Sequence, residues 1–237
     1  MWHLGYPDRA IQCGYQALAL ARELSHPVSL TLALNSVVAL HHWRGEWHAA
    51  WELGAELLSL AQQQAFPHWA GWGMLLRGEI LARQGCVEEG IVQMRQGFAA
   101  LNSTGAKMGL TGLSCELAWA YEKAGRAEEG LPLVTEALAA VDKTGERFAV
   151  AELYRFKGEL LLHGERMATG KARPMRNAEL VQRSSFSVHR SAEECFQQAI
   201  AIARRQGAKS LELTGSDKLE PAVAKTGEKE TSPPETG

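Results

Sequence analysis

Glycines recur every forty residues along much of this 237-residue chain, and no other feature restricts its fold as strongly. A small residue follows each of these glycines after five positions, and an alanine, leucine or glycine follows seven positions later. A fixed period of this length indicates repeated supersecondary units that stack to bury a shared core. The periodic glycines are Gly5, Gly45, Gly85 and Gly125.

Each forty-residue unit predicts two helices. Between the glycines, apolar residues recur at helical spacing, for example at Leu131, Val134, Leu138 and Val141. We expect each glycine to close the first helix in a tight turn, where a positive backbone angle suits a residue without a side chain. The second helix then ends at a breaker, which is His26-Pro27, Phe66-Pro67, Thr104-Gly105 or Thr144-Gly145.

Composition limits the classes of partner and compartment. Apolar residues make up 46% of the chain, enough for a sizeable core, and the formal net charge of -2 gives no overall argument for nucleic acid or a membrane surface. The longest apolar stretch, 30–40, is interrupted by Asn35 and Ser36 and is too short to cross a bilayer. The amino terminus lacks a secretory pattern and the four cysteines are widely spaced. We therefore expect a cytoplasmic protein with reduced thiols.

Small residues at fixed places in both helices complete a pattern that resembles the tetratricopeptide repeat (TPR). They are Gly78, Ala118 and Gly158 in the first helices, and Ala10, Ala50, Gly90, Gly130 and Ala192 in the second helices. The resemblance spans residues 2–213, although the period exceeds the usual 34 residues. It implies an all-α, right-handed solenoid of antiparallel helix pairs whose first helices line a concave face.

Several phrases are similar to the repeat region of bacterial multidomain regulators, for example Ser-His-Pro-Val-Ser-Leu at 25–30 and Ala-Glu-Leu-Tyr-Arg-Phe-Lys-Gly-Glu-Leu at 151–160. In that group a class III adenylate or guanylate cyclase domain, or a DNA-binding domain, accompanies a large signalling ATPase. Nothing in this chain matches the cyclase or ATPase motifs. The resemblance implies a fragment or detached sensor arm of such a regulator. The alternative is the regulatory portion of a cyclase or an ATP-dependent transcriptional regulator whose catalytic domains lie outside this chain.

The repeat pattern is interrupted at three places. Only residues 1–4 precede the first glycine, so we expect the first unit to lack its first helix and to expose apolar residues. An insertion at 166–190, with six basic residues against one acid, delays the last second helix. We expect a mobile loop there, with an electrostatic contact for phosphate or an acidic partner as the alternative. We expect 1–213 to form the repeat domain and 214–237 a disordered tail.

The motifs of common enzyme classes are absent from the sequence. There is no His-Glu-x-x-His zinc motif and no Gly-x-Ser-x-Gly elbow, and the stretch from Gly164 to Lys171 lacks the spacing and hydroxyl of a phosphate-binding loop. We therefore expect a protein that is not an enzyme, with no catalytic residue, cofactor or metal. Cys13 and Cys195 stand at a packing position of the second helices, so we expect both to act as small core residues.

A surface for a protein or peptide partner remains. In the family, ligand contacts lie on one stripe of each first helix, and the resemblance implies the same stripe here, a mixed-charge groove with aromatic anchors. The alternative is a solvated face without a partner. Other domains of a parent regulator are further candidate partners. Uncapped ends of the solenoid favour self-association. We expect neither nucleic acid nor a membrane as a partner. The stripe, called the first-helix stripe below, comprises Asn35, His42, Trp43, Glu79, Arg83, Trp119, Glu122, Lys123, Arg155 and Glu159.

The stretch 41–52 concentrates three tryptophans and three histidines and at first suggests a site. The repeat register predicts separate roles for these residues. His41 and Trp51 fall at core positions, Trp47 at a half-buried turn and His48 on the surface. Only His42 and Trp43 are expected to face the groove.

Overall fold

The computed structural model describes residues 6–105, 109–171, 178–208 and 215–219, and the regular structure of these residues is entirely helical. The prediction of an all-α fold made of helix pairs is confirmed. Packing divides the chain into two compact units, Met1–Lys107 and Met108–Gly237. The boundary falls at 104–109, a longer connection than the regular 24–26, 44–46, 64–66 and 84–86 before it.

The described part of the first unit contains five helices that begin at twenty-residue intervals. They are α1 (Pro7–Glu23), α2 (Pro27–Trp43), α3 (Trp47–Gln63), α4 (Pro67–Arg83) and α5 (Val87–Ser103). The predicted turn glycines Gly45 and Gly85 have φ angles of +73° and +98°. Ser25 and Ala65 hold φ angles of +49° and +53° although both carry a Cβ, so two turns of this unit are strained.

The small residues bring α4 and α5 into backbone contact, as the sequence predicts. A Cβ added to Gly78 would lie 2.6 Å from the carbonyl oxygen of Gly90. A Cβ added to Gly97 would likewise lie 2.6 Å from the carbonyl oxygen of Gly71. These two helices therefore cross so closely that side chains larger than hydrogen are excluded at both points.

Exposed apolar side chains lie on α1, at the residue that follows it and in the first half of α2. Leu20, Leu24 and Leu32 are 56%, 63% and 54% exposed. Cys13 is exposed as well, so the packing role predicted for it is wrong. Its repeat equivalent, Leu53, packs in a core cluster with residues of α2, whereas the Cys13 side of α1 is left open to solvent among the described residues.

The second unit contains α6 (Leu110–Lys123), α7 (Ala127–Thr144), α8 (Val150–Lys171) and α9 (Ala178–Gln206) among its described residues. Its main core includes Val134, Leu153 and Leu160, each fully buried. Cys195 is buried, as predicted. Glu146 caps α6 from the α7–α8 connection: the amide of Thr111 donates to its Oε2 at 3.2 Å, and the amide of Gly109 donates to its Oε1.

The inserted segment 166–190 is helical where the structure describes it, which contradicts the predicted loop. The α8 helix continues to Lys171 and α9 already begins at Ala178, so the insertion lengthens this helix pair. At the base of this segment, His189 Nδ1 lies 3.0 Å from Oε2 of Glu165, the residue before it, and both side chains are nearly buried. This contact and the internal backbone hydrogen bonds of the helices offset the cost of ordering the segment. Residues 172–177 lie outside the described residues.

The predicted tail, 214–237, lies outside the described residues except for a short helical turn at 215–219. Leu219 packs beside Phe196 of α9, so this turn covers part of the second unit. Within the described residues, none of the helices combines the length and the hydrophobicity needed to span a bilayer.

Candidate functional site

A buried carboxylate lies at the centre of the first-helix stripe in the first unit. Glu79 of α4 is 2% exposed. Its Oε1 accepts a hydrogen bond from His42 Nε2 of α2 at 2.6 Å and another from Arg83 Nε at 2.7 Å. Three of the predicted stripe residues therefore come together, and two of them lie on different helices, 37 positions apart.

Charge pairing keeps Glu79 ionised. Burial by itself would raise the pKa of this carboxyl, but the hydrogen bond and charge of His42, together with the charge of Arg83, outweigh burial. The pKa of Glu79 consequently lies below its ordinary value. The side chain of His42 is 12% exposed, so this pair is also shielded from salt.

Trp47 of α3 packs beside His42 and Arg83. The Arg83 guanidinium lies 4.6 Å from the centre of the Trp47 ring, and the His42 ring meets it edge to face at 5.5 Å. The sequence predicted a half-buried turn for Trp47, and it is indeed partly buried in a core cluster. Its role in orienting His42 and Arg83 was missed, because the repeat register compares equivalent positions and does not show which side chains of neighbouring helices meet.

Asn35 and Trp43 supply the remaining stripe groups of α2. Asn35 Oδ1 is buried and has no hydrogen-bond donor within reach among the described residues. Trp43 is 46% exposed. Positions eight residues apart lie about 80° apart around a helix, so Asn35 and Trp43 lie on the same half of α2.

In the second unit, the predicted stripe residues Arg155 and Glu159 are in contact on α8. Arg155 Nη1 donates to Glu159 Oε1 at 2.9 Å, and Arg155 Nε donates to Glu152 Oε1 at 3.0 Å. Burial would lower the pKa of the guanidinium, but both carboxylates outweigh it and raise that pKa. Lys218 of the short helical turn at 215–219 lies 3.2 Å from Glu159 Oε1, so this part of the stripe is already neutralised.

The other predicted residues of α6 contribute less to an open surface. Trp119 is partly buried against the core of the second unit. Lys123 Nζ lies 3.1 Å from Glu122 Oε2, and the Glu122 side chain is only 17% exposed.

The histidine and tryptophan cluster at 41–52 has the roles that the repeat register predicts. His41 is 6% exposed, and its Nδ1 donates to Glu46 Oε2 at 2.6 Å while Nε2 lies 2.7 Å from the Tyr15 hydroxyl. Trp51 packs in a core cluster. The His48 side chain is 89% exposed. His41 is therefore a core histidine whose two ring nitrogens are both satisfied.

The pairing and burial of these groups limit the chemistry that they can perform. Within the first unit, His42 and Glu79 bring an imidazole and a carboxylate together, but the Arg83 cation on the same oxygen opposes a metal ion there. The buried thiol of Cys115 has a pKa well above its ordinary value, because burial disfavours the thiolate and nearby carboxylates add to the effect. A thiol held in this form is a poor nucleophile.

No family model matches the chain. A relative among curated proteins, an uncharacterized protein of Rhizobium meliloti (strain 1021), is 23% identical over 160 residues. The match covers 68% of this chain and 16% of that protein, so the chain spans about a sixth of its relative.

Solved structures give a clearer likeness. BtubC (BKLC) from P. vanneervenii superposes with a TM-score of 0.55 at 15% identity, over 98% of this chain and 96% of that one. The apo form of RapI gives 0.57 at 15% identity, over 92% and 77%. A kinesin-light-chain-like protein of Podosopora anserina, with nearly identical TPR-like repeats, gives 0.51 at 17% identity, over 86% and 90%. At these identities the likeness shows the fold, and this chain has a TPR-like helical-repeat fold.

Proposed function

We propose that the chain is a non-catalytic scaffold that binds a protein or peptide segment along the first-helix stripe. The observation that supports this proposal most directly is the α2 face, where the unpaired acceptor of Asn35 and the exposed ring of Trp43 lie on one side. A buried acceptor without a donor is unfavourable in the free protein, and a peptide N–H that gained access to it on binding would satisfy it. An exposed indole is the kind of anchor that contributes most to protein interfaces.

The charged residues of the stripe serve to order this surface. Glu79 is neutralised by His42 and Arg83, and Glu159 is neutralised by Arg155 and Lys218. Charges that are already paired attract a partner weakly over long distances. Partner binding should therefore depend little on ionic strength, whereas nucleic-acid binding falls steeply as salt rises.

The parent context of the scaffold is the second part of the proposal. The phrases at 25–30 and 151–160 resemble the repeats of cyclase and ATPase regulators, and the chain matches only 16% of its longer Rhizobium meliloti relative. Both observations favour a sensor or regulatory arm of such a regulator. The alternative keeps the same role for the arm, as the regulatory portion of a cyclase or transcriptional regulator whose catalytic domains lie outside this chain.

An affinity capture with matched variants tests the scaffold. The full chain is immobilised and exposed to lysate, and the retained proteins are compared for the parent, for Trp43→Ala and for Phe148→Ala. Phe148 is a matched control because it is 60% exposed and lies outside the stripe. We expect a partner that Phe148→Ala retains and Trp43→Ala loses. Equal retention by both variants, or no retention by the folded parent, would refute binding through the stripe.

ATP turnover or cyclic nucleotide synthesis that a point substitution abolishes would refute the non-catalytic assignment.

A further inference from the structure

A groove in the second unit lies apart from the first-helix stripe. It has a volume of about 460 Å³ and is lined by residues of α7, the α7–α8 connection, the start of α8 and the end of α9. None of the ten predicted stripe residues lines it. Its volume lies within the range of about 300–1,000 Å³ that is typical of small-molecule sites.

Apolar side chains form one wall of the groove, while Gln198, Gln206 and the charged residues form the rest of its lining. Leu138 and Val141 of α7, Val150 of α8 and Ile202 of α9 line it, and Tyr154 adds one phenol. Val141 is 6% exposed, so the groove reaches down to the core of the second unit. An alkyl chain or an aromatic ring that displaced water here would bind more tightly with each methylene buried.

The rim of the groove carries an excess of positive charge. Arg147 and Arg205 both line it, against the single acid Asp142. The Arg147–Asp142 pair is long, at 3.8 Å, and its side chains are 72% and 87% exposed, so each charge stays largely available. Arg205 has no carboxylate partner among the side chains that the structure describes.

The rim is also held in place. Gln206 Nε2 of α9 donates to the Arg147 carbonyl oxygen at 2.7 Å, which ties the α7–α8 connection to the end of α9. This hydrogen bond joins the two segments that carry the arginines, although they are 59 positions apart. Guanidinium groups bind oxyanions through two parallel N–H donors, and a fixed backbone lowers the entropy lost when they do so.

We propose that this groove binds a small amphiphilic anion, with its apolar body against Leu138, Val150 and Ile202 and its oxyanion head group at Arg147 and Arg205. The site is independent of the proposed partner surface, because the two share no residue. The apolar wall selects for a hydrocarbon or aromatic body, and the two guanidinium groups select for a negative head group.

Sodium octanoate and octylammonium chloride are suitable probes, because they share an alkyl chain and differ in the sign of the head group. Affinities are measured by titrating each probe into the ¹⁵N-labelled full chain and following amide chemical shifts. We expect octanoate to bind about tenfold more tightly than octylammonium, and Arg205→Ala to remove most of that preference. Ile202→Glu places a carboxylate in the apolar wall and should abolish octanoate binding.

Arg190→Ala is the matched control, because Arg190 is an exposed arginine of the same helix outside the groove. Circular dichroism establishes that each variant is folded. Should Ile202→Glu fail to fold, the comparison of Arg205→Ala with Arg190→Ala still tests the head-group contact. Absence of octanoate binding at millimolar concentration, equal affinity for both probes, or an equal effect of the two arginine variants would each overturn the proposal.

Discussion

Replacing Gly78 by alanine tests whether backbone contact between α4 and α5 is a structural requirement. The added Cβ would lie 2.6 Å from the Gly90 oxygen and 2.7 Å from the Met94 amide nitrogen. Neither atom can move aside as a side chain would. The 2.6 Å approach is roughly 0.8 Å inside ordinary van der Waals contact, so the two helices would have to separate.

The expected cost follows from that separation. Met94 is fully buried, so moving α5 outward loosens a close-packed core. Overpacking costs about 1–3 kcal/mol, and a rigid obstacle places this site at the upper end. Alanine returns about 1 kcal/mol through its better helix propensity. We expect Gly78→Ala to lower the free energy of unfolding by about 2 kcal/mol.

Gly54→Ala is the matched control, because Gly54 is also buried in the middle of a helix. A Cβ there would find its nearest atom, Val38 Cγ1, at 4.0 Å, which is open enough for a methyl group. We expect this variant to gain about 0.5–1 kcal/mol from helix propensity. Urea unfolding followed by tryptophan fluorescence measures the free energy of unfolding of both variants, because five of the six described tryptophans lie in the first unit. A Gly78→Ala protein as stable as Gly54→Ala would refute the reasoning.

Three further predictions concern a strained turn, a helix cap and a buried charge. Ala65→Gly should raise the free energy of unfolding by about 0.5–1 kcal/mol, since glycine accepts the positive φ of this turn; an unchanged urea midpoint would contradict the strain. Glu146→Gln should cost about 1 kcal/mol by weakening the cap of α6, whereas an exposed control, Glu136→Gln, should change the denaturation midpoint little. Because the pKa of Glu79 is depressed in the folded protein, the unfolded chain takes up its proton first, so the pairing stabilises above pH 4.5 and is lost as pH falls further. Glu79→Gln should make the melting temperature depend less on pH between pH 5 and pH 3 than it does in the parent. An unaltered dependence on pH would exclude Glu79 as the titrating group.

The candidate site was predictable in part. The first-helix stripe includes His42, Glu79 and Arg83, which lie in contact because stacked repeats bring equivalent positions of successive first helices together. The stripe did not show that these charges neutralise one another, or that Trp47 stacks on Arg83. Both depend on distances between helices, which a repeat alignment does not contain.

The sequence by itself determined the helices and most of their turns. Apolar spacing and glycines at Gly45, Gly85 and Gly125 act through local backbone preferences, so they could be interpreted without knowing which helices pack together. The same local signals misassigned 166–190, because low apolar content suggested a loop where two helices extend side by side.

Tertiary structure alone decided which polar groups remain available to bind a partner or a ligand. Glu79 and Glu159 are paired across or along helices, while Asn35 keeps an unsatisfied oxygen and the groove between α7 and α9 keeps Arg205 at its rim. Whether a side chain is paired depends on its neighbours in space, and these come from segments up to 59 residues apart. Local preferences therefore specify the repeat, whereas long-range packing specifies the surfaces through which it can bind.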